Sequence, residues 1–170
     1  MVIILKKVII VLFIGIVLIL SNKQEEYVII PNNAIRFRII ANSNNIEDQR
    51  LKYQIKEEIT PILARINNNH TYEEYKEGIK GIIPTIDKII KSKNIDYDIN
   101  YGDNYFPEKT YKGVKYPEGN YESLVITLGD GYGDNWWCVL FPPLCLLEAQ
   151  ENNLDNYEYA FFIKDIISKF

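Results

Sequence analysis

The chain has 170 residues, 47% of them hydrophobic and 25% charged, which allows one domain's worth of core and no more. Its net charge of −4 gives it no reason to seek nucleic-acid phosphates. One histidine and two cysteines leave it short of the four N/S ligands of a structural zinc site, and no cofactor is expected.

The first residues set the compartment. Lys6 and Lys7 precede an unbroken apolar run from Val8 to Leu20, and Ser21 to Glu26 is abruptly polar. A basic start, a short apolar run and a polar flank describe a secretory signal. Thirteen apolar residues are few for a spanning helix, which needs roughly 20, but Val2 to Leu5 is apolar too and the lysines could snorkel. Residues 1–21 therefore read as a signal peptide or an N-terminal membrane anchor. Bulky Leu18, Ile19 and Leu20 stand where small residues would mark a cleavage site, so both readings stay open. Residues 22–33 read as a flexible linker ending near Pro31, and 34–170 as a single extracytoplasmic α+β domain.

Within that domain, Ile35, Phe37 and Ile39 alternate with Arg36, Arg38 and Ile40, the pattern of a strand with one face in the core. The spacing puts the two arginines on a solvated outer face. Asn44 with Glu47 fits a capping box, and Glu47 and Asp48 suit the first turn of a helix over 46–66. Its apolar stripe is Leu51, Ile55, Ile59, Ile62, Leu63 and Ile66, with Pro61 expected to kink or end it. Thr71 with Glu74 caps a second helix over 72–91, whose buried side runs from Tyr75 through Ile79 to Ile90 and whose middle Gly78, Gly81 and Pro84 should weaken. Two such helices with a short link read as an antiparallel hairpin.

Ile95, Tyr97, Ile99 and Tyr101 alternate as a second strand. Residues 105–116 read as an irregular crossing, 116–120 as a turn and Tyr121 to Leu128 as a third strand. Gly129-Asp130-Gly131-Tyr132-Gly133-Asp134 is a glycine-rich turn. The stretch Asn135-Trp136-Trp137-Cys138-Val139-Leu140-Phe141-Pro142-Pro143-Leu144-Cys145 holds both tryptophans and both cysteines. It reads as a short rigid loop, because Pro142-Pro143 removes two N–H donors. After a polar segment at 148–155, the tail reads as a short strand to about Ile163 and then a helix. The order is β-α-α-β-β-β-α, a helical hairpin packed on a mostly antiparallel sheet.

Catalytic constellations are weak. Cys138 with His70 could in principle form a thiol hydrolase, and the carboxylates are numerous enough for a glycosidase-like pair. Yet His70 lies in an Asn-rich linker, and Asp96/Asp98 and Asp130/Asp134 read more simply as strand-edge and turn residues. In an exported domain Cys138 and Cys145 suit one disulfide, whose small loop contributes about 2 kcal/mol on the chain-entropy model. Trp136, Trp137, Leu140 and Phe141 cannot all point inward from so short a loop, so part of this surface should be presented for recognition.

The segment Ile35-Arg36-Phe37-Arg38-Ile39-Ile40-Ala41-Asn42-Ser43-Asn44, followed by Glu47-Asp48-Gln49 and Leu51-Lys52, resembles the opening signature of the stage II sporulation protein R family. Pro117-Glu118-Gly119-Asn120-Tyr121-Glu122-Ser123-Leu124, with the glycine turn and Asn135 to Cys145, is closely similar to that family's second signature. The resemblance implies a sporulation signal rather than an enzyme. Such a protein is exported from the forespore into the space between the two forespore membranes. There it activates a membrane-embedded aspartic protease of the mother cell, which processes the sigma-E precursor. By motif, the expected partner-binding residues are Arg36, Arg38, Asn42, Ser43, Glu47, Asp48, Asn135, Trp136, Trp137 and Phe141, with Cys138 and Cys145 as the disulfide. Acidic Asp130 and Asp134 replace the basic residue expected in the glycine turn. A cell-wall hydrolase using Cys138 or a carboxylate pair, or a passive envelope-binding module, is the alternative.

Overall fold

The computed structural model of the chain describes residues 28–31, 33–66, 71–111, 114–144 and 163–168. The elements are β1 (Val28–Ile29), β2 (Ile35–Ile40), α1 (Ile46–Ala64), α2 (Tyr72–Lys91), β3 (Tyr97–Phe106), β4 (Lys109–Tyr111), β5 (Val114–Tyr116), β6 (Gly119–Leu128) and β7 (Asn135–Phe141). A last helical turn covers 163–167. The class is α+β, as the patterning implies: two helices on a mostly antiparallel sheet of four strands in the order β3-β6-β2-β7. Within this sheet the parallel pair is β2 and β6, and the chain between them runs through both helices and β3 to β5. A second, smaller sheet has the order β1-β5-β4.

The period-2 alternation of β2 becomes two different faces. Ile35, Phe37 and Ile39 join Leu124, Ile126 and Leu128 of β6 and Cys138 and Leu140 of β7 in the main core. The helices close this face with Ile55, Ile59 and Leu63 of α1 and Tyr75, Ile79, Ile86 and Ile90 of α2. Fully burying one such aliphatic side chain contributes about 2 kcal/mol. Helix α2 begins with the expected capping box: Thr71 N donates to Glu74 Oε2 at 2.8 Å and Glu74 N to Thr71 Oγ1 at 3.4 Å. Pro61 and Pro84 both lie on exposed helix faces and neither ends its helix. The N-cap of α1 is Asn45, one residue beyond the expected Asn44, and its Oδ1 accepts from Asp48 N at 2.8 Å.

Four expectations change. The Asn135–Phe141 stretch is a strand, not a loop, paired antiparallel to β2. It lacks alternation because both its faces are buried: Trp136, Cys138 and Leu140 pack toward the helices, while Trp137 and Val139 pack into a second cluster with Ile30, Tyr116, Leu144 and Ile163. The prolines act after it, where the Phe141–Pro142 peptide is cis. Val28–Ile29, expected in a linker, pairs parallel with β5. The crossing at 105–116 contains the end of β3 and the β4–β5 hairpin. The arginine face of β2 is covered rather than solvated, and Arg36 is only 1% exposed. The N-terminal apolar segment, His70, Cys145 and the strand expected before Ile163 lie outside the described residues, within which no helix is long and apolar enough to cross a membrane.

Candidate functional site

The two signature blocks meet in space at two places. The first is a polar knot where β2 enters α1. Asn42 Nδ2, Ser43 Oγ and Asn45 Nδ2 donate to Asp48 Oδ2 at 2.9, 2.6 and 3.0 Å. From the glycine turn, Asp130 N donates to Asn42 Oδ1 at 3.0 Å and Asp134 N to Asn44 Oδ1 at 2.6 Å. Tyr132 N and Gly133 N donate to the carbonyls of Asn42 and Ala41. The buried Lys52 closes the knot by donating to Asp134 O at 2.9 Å and Gln49 Oε1 at 2.6 Å. Glycine is needed here: Gly129 has φ +55°, and a Cβ on Gly133 would overlap the Ser43 carbonyl. The hydrogen bonds from Ser43, Asn42 and Asn45 hold the Asp48 carboxyl below its ordinary pKa. Asn42, Ser43 and Asp48, expected to bind a partner, thus spend their polar atoms inside the molecule. Glu47 stands beside them, exposed.

The second place is a cleft on the arginine face of the large sheet, beside the β4–β5 hairpin. Arg36 lies beneath Tyr121, its Cζ 3.5 Å from the ring centroid, and its NH2 group donates to Pro117 O at 3.0 Å. The guanidinium carbons of Arg36 and Arg38 stand 5.2 and 4.6 Å from the Phe106 centroid. The Nε of each is buried without a hydrogen-bond partner, and burial lowers the pKa of both groups. Trp137, half-buried, meets Tyr116 edge-on at 4.5 Å, and Lys109 Nζ sits 5.0 Å from the Trp137 ring. A hollow of about 160 Å³ opens between Arg36, Phe106, Lys109, Asn135 and Trp137. A neighbouring hollow of about 230 Å³ shares Lys109, Asn135 and Trp137 and adds Tyr111, Tyr116 and Trp136.

Of the residues expected from sequence, Arg36, Asn135 and Trp137 line this cleft, Arg38 stands against Phe106 beside it, and Trp136, whose ring packs on Phe37 in the main core, borders only the neighbouring hollow. Phe141 is elsewhere: it is 7% exposed and packs on Tyr72 and Tyr75 of α2. Phe106, Lys109 and Tyr116 complete the cleft and were not foreseen, because Phe106 ends a β3 longer than the alternation implies and the other two lie on the β4–β5 hairpin. Chemistry of the hydrolytic kind finds no support here. Cys138 is 2% exposed, so its sulfur is not presented to a substrate. Among the described residues no group of three or more His, Cys, Asp and Glu gathers as a metal site.

The family model described as stage II sporulation protein R matches residues 31–151, a span that contains both the knot and the cleft-forming strands. The chain belongs to the stage II sporulation protein R family. Among its curated relatives, the stage II sporulation protein R of Bacillus subtilis (strain 168) is 38% identical over 135 residues. That alignment covers 75% of this chain and 60% of the relative, so the chain spans about three-fifths of the relative's length. No solved structure matches. Within the family region, the first signature supplies β2 and the α1 cap, and the second supplies β6, the glycine turn and β7.

Proposed function

We propose that this chain is an exported sporulation signal that activates a membrane-embedded aspartic protease and so triggers processing of the sigma-E precursor. Family membership supports the sporulation role. The apolar run from Val8 to Leu20 behind Lys6 and Lys7 supports export, by signal peptide or N-terminal anchor, into the space between the forespore membranes. The observation that carries the recognition part is the partly exposed Trp137 on β7, set edge-on to Tyr116 beside an open, cation-lined cleft. Tryptophan and arginine are enriched in the energetic centres of protein interfaces, which suits this cleft to recognition. We further propose that Cys138 and Cys145 form a disulfide, which fixes the chain just after β7. Among the described residues no cysteine is free, which supports it.

The test is reconstitution. The chain is exported from a non-sporulating host that also holds the candidate protease and a tagged sigma-E precursor, and the shortened precursor is sought on a gel. Processing that requires this chain is the expected result. A folded, exported chain that leaves the precursor intact overturns the proposal. A Cys138→Ser, Cys145→Ser version is expected to reduce processing, and equal processing would remove the disulfide from the account.

A further inference from the structure

The arginine face poses an electrostatic question that the fold itself does not answer. Arg36 is 1% exposed, yet among the described residues no carboxylate pairs with it or with Arg38. Aromatic rings and one carbonyl are their partners. A guanidinium taken out of water normally finds a carboxylate, since the planar fork matches two oxygens. Cation–π contacts offset part of the desolvation, but they leave Nε of both arginines unpartnered. Of the two arginines Arg36 lines the hollow, and Lys109 brings a second positive charge to it. One acid, Glu108, also lines it, and its Oε2 is held by Lys115 at 2.9 Å. The hollow therefore keeps an excess of cationic groups between two aromatic walls.

We propose that the hollow between Phe106 and Trp137 is a carboxylate pocket that takes an acidic side chain of a partner polypeptide, with Arg36 and Lys109 as its cationic groups. Size and continuity argue for a polypeptide. A volume of about 160 Å³ fits one side chain, and the adjoining 230 Å³ hollow, lined by Tyr111, Tyr116 and Trp136, accepts an apolar neighbour. Asn135 lies between the two with a side-chain amide free to meet a peptide group. Arg38 acts at one remove, holding Phe106 in place as a positioning residue. The identity of the polypeptide as the protease rests on the function proposed above. The binding itself does not, and it is measured without the protease, so the two can fail separately.

The experiment uses the chain with its N-terminal segment in detergent and follows the Trp137 indole N–H resonance by NMR. The probes are acetyl-Leu-Glu-Phe-amide, acetyl-Leu-Gln-Phe-amide and sodium acetate. The glutamate peptide is expected to shift the resonance saturably and about tenfold more tightly than the glutamine peptide. Arg36→Gln should abolish the difference between the peptides. Because Arg36 is also part of the fold, Lys109→Gln on the exposed hairpin gives a second reading, with an expected loss of about threefold for the glutamate peptide alone. Equal responses to the two peptides overturn the pocket, as does silence toward all three probes at about 10 mM. An acetate response as strong as that of the glutamate peptide means an adventitious ion only, and overturns the polypeptide assignment.

Discussion

At the scale of single residues, the knot around Asp48 shows how motif residues can serve the fold. Its carboxylate collects three side-chain hydrogen bonds, the shortest from Ser43 at 2.6 Å. These favour the ionised form, so the folded-state pKa lies below the unfolded one. The sign follows: the stabilisation is complete above the unfolded-state value of about 3.9 and is lost as pH falls through the folded value. Asp48→Asn is expected to lower the melting temperature at neutral pH and to flatten the loss of stability below about pH 4. Acid titration followed by circular dichroism checks this, and an unchanged acid limb would assign it to other carboxylates. Gly133→Ala tests the same junction sterically, since the added methyl meets the Ser43 backbone rather than a flexible side chain. It should cost about 2 kcal/mol in denaturant unfolding.

At the scale of elements, β7 decides how the molecule is read. A strand with one wet face announces itself by alternation, as β2 does. A strand buried on both faces reads as a plain apolar run, and Trp136 to Phe141 ending in two prolines looked like a loop. The replacement Val139→Lys separates the two readings. Val139 is 1% exposed on the face opposite the helices, so an unpaired lysine there should cost about 3 kcal/mol or more. A presented loop would accept it with little change in urea midpoint. The helices were legible because their stripes and caps are local: α2 starts at its capping box as read. The cap of α1 was displaced by a distant event, since Asn44 is drawn to Asp134 N across 90 residues of sequence. The same limit hid β1, which is two residues long and gains its partner only at Val114 and Lys115. Arg36 looked solvated because nothing local says that Phe106 and Tyr121 will cover it.

At the scale of the whole molecule, two sheets share the work. The larger one buries its helix-facing side in the main core, and the smaller one, with the 163–167 turn, packs on the other face of β7. Strand β7 lies at the junction and sends Trp136 to one side and Trp137 to the other, which is why one short sequence block links the core to the cleft. Core residues should therefore affect the cleft only through unfolding. Phe37→Ala, which removes a fully buried ring set edge-on to Trp136, should cost about 3 kcal/mol, while any folded fraction still activates. Thermal melts read beside precursor processing separate the two effects. Trp137 is different: it is half-exposed and lines both hollows, so its loss should damage recognition more than folding.

The central claim is that the Trp137 cleft is the surface through which this chain acts on a protease. The most direct measurement is precursor processing in the reconstituted host with wild-type chain and with Trp137→Ala, each shown by circular dichroism to be folded and by fractionation to be exported. Processing by the wild type and its loss in the folded variant is the predicted result. Equal processing by both would contradict the claim and place the contact surface elsewhere on the molecule.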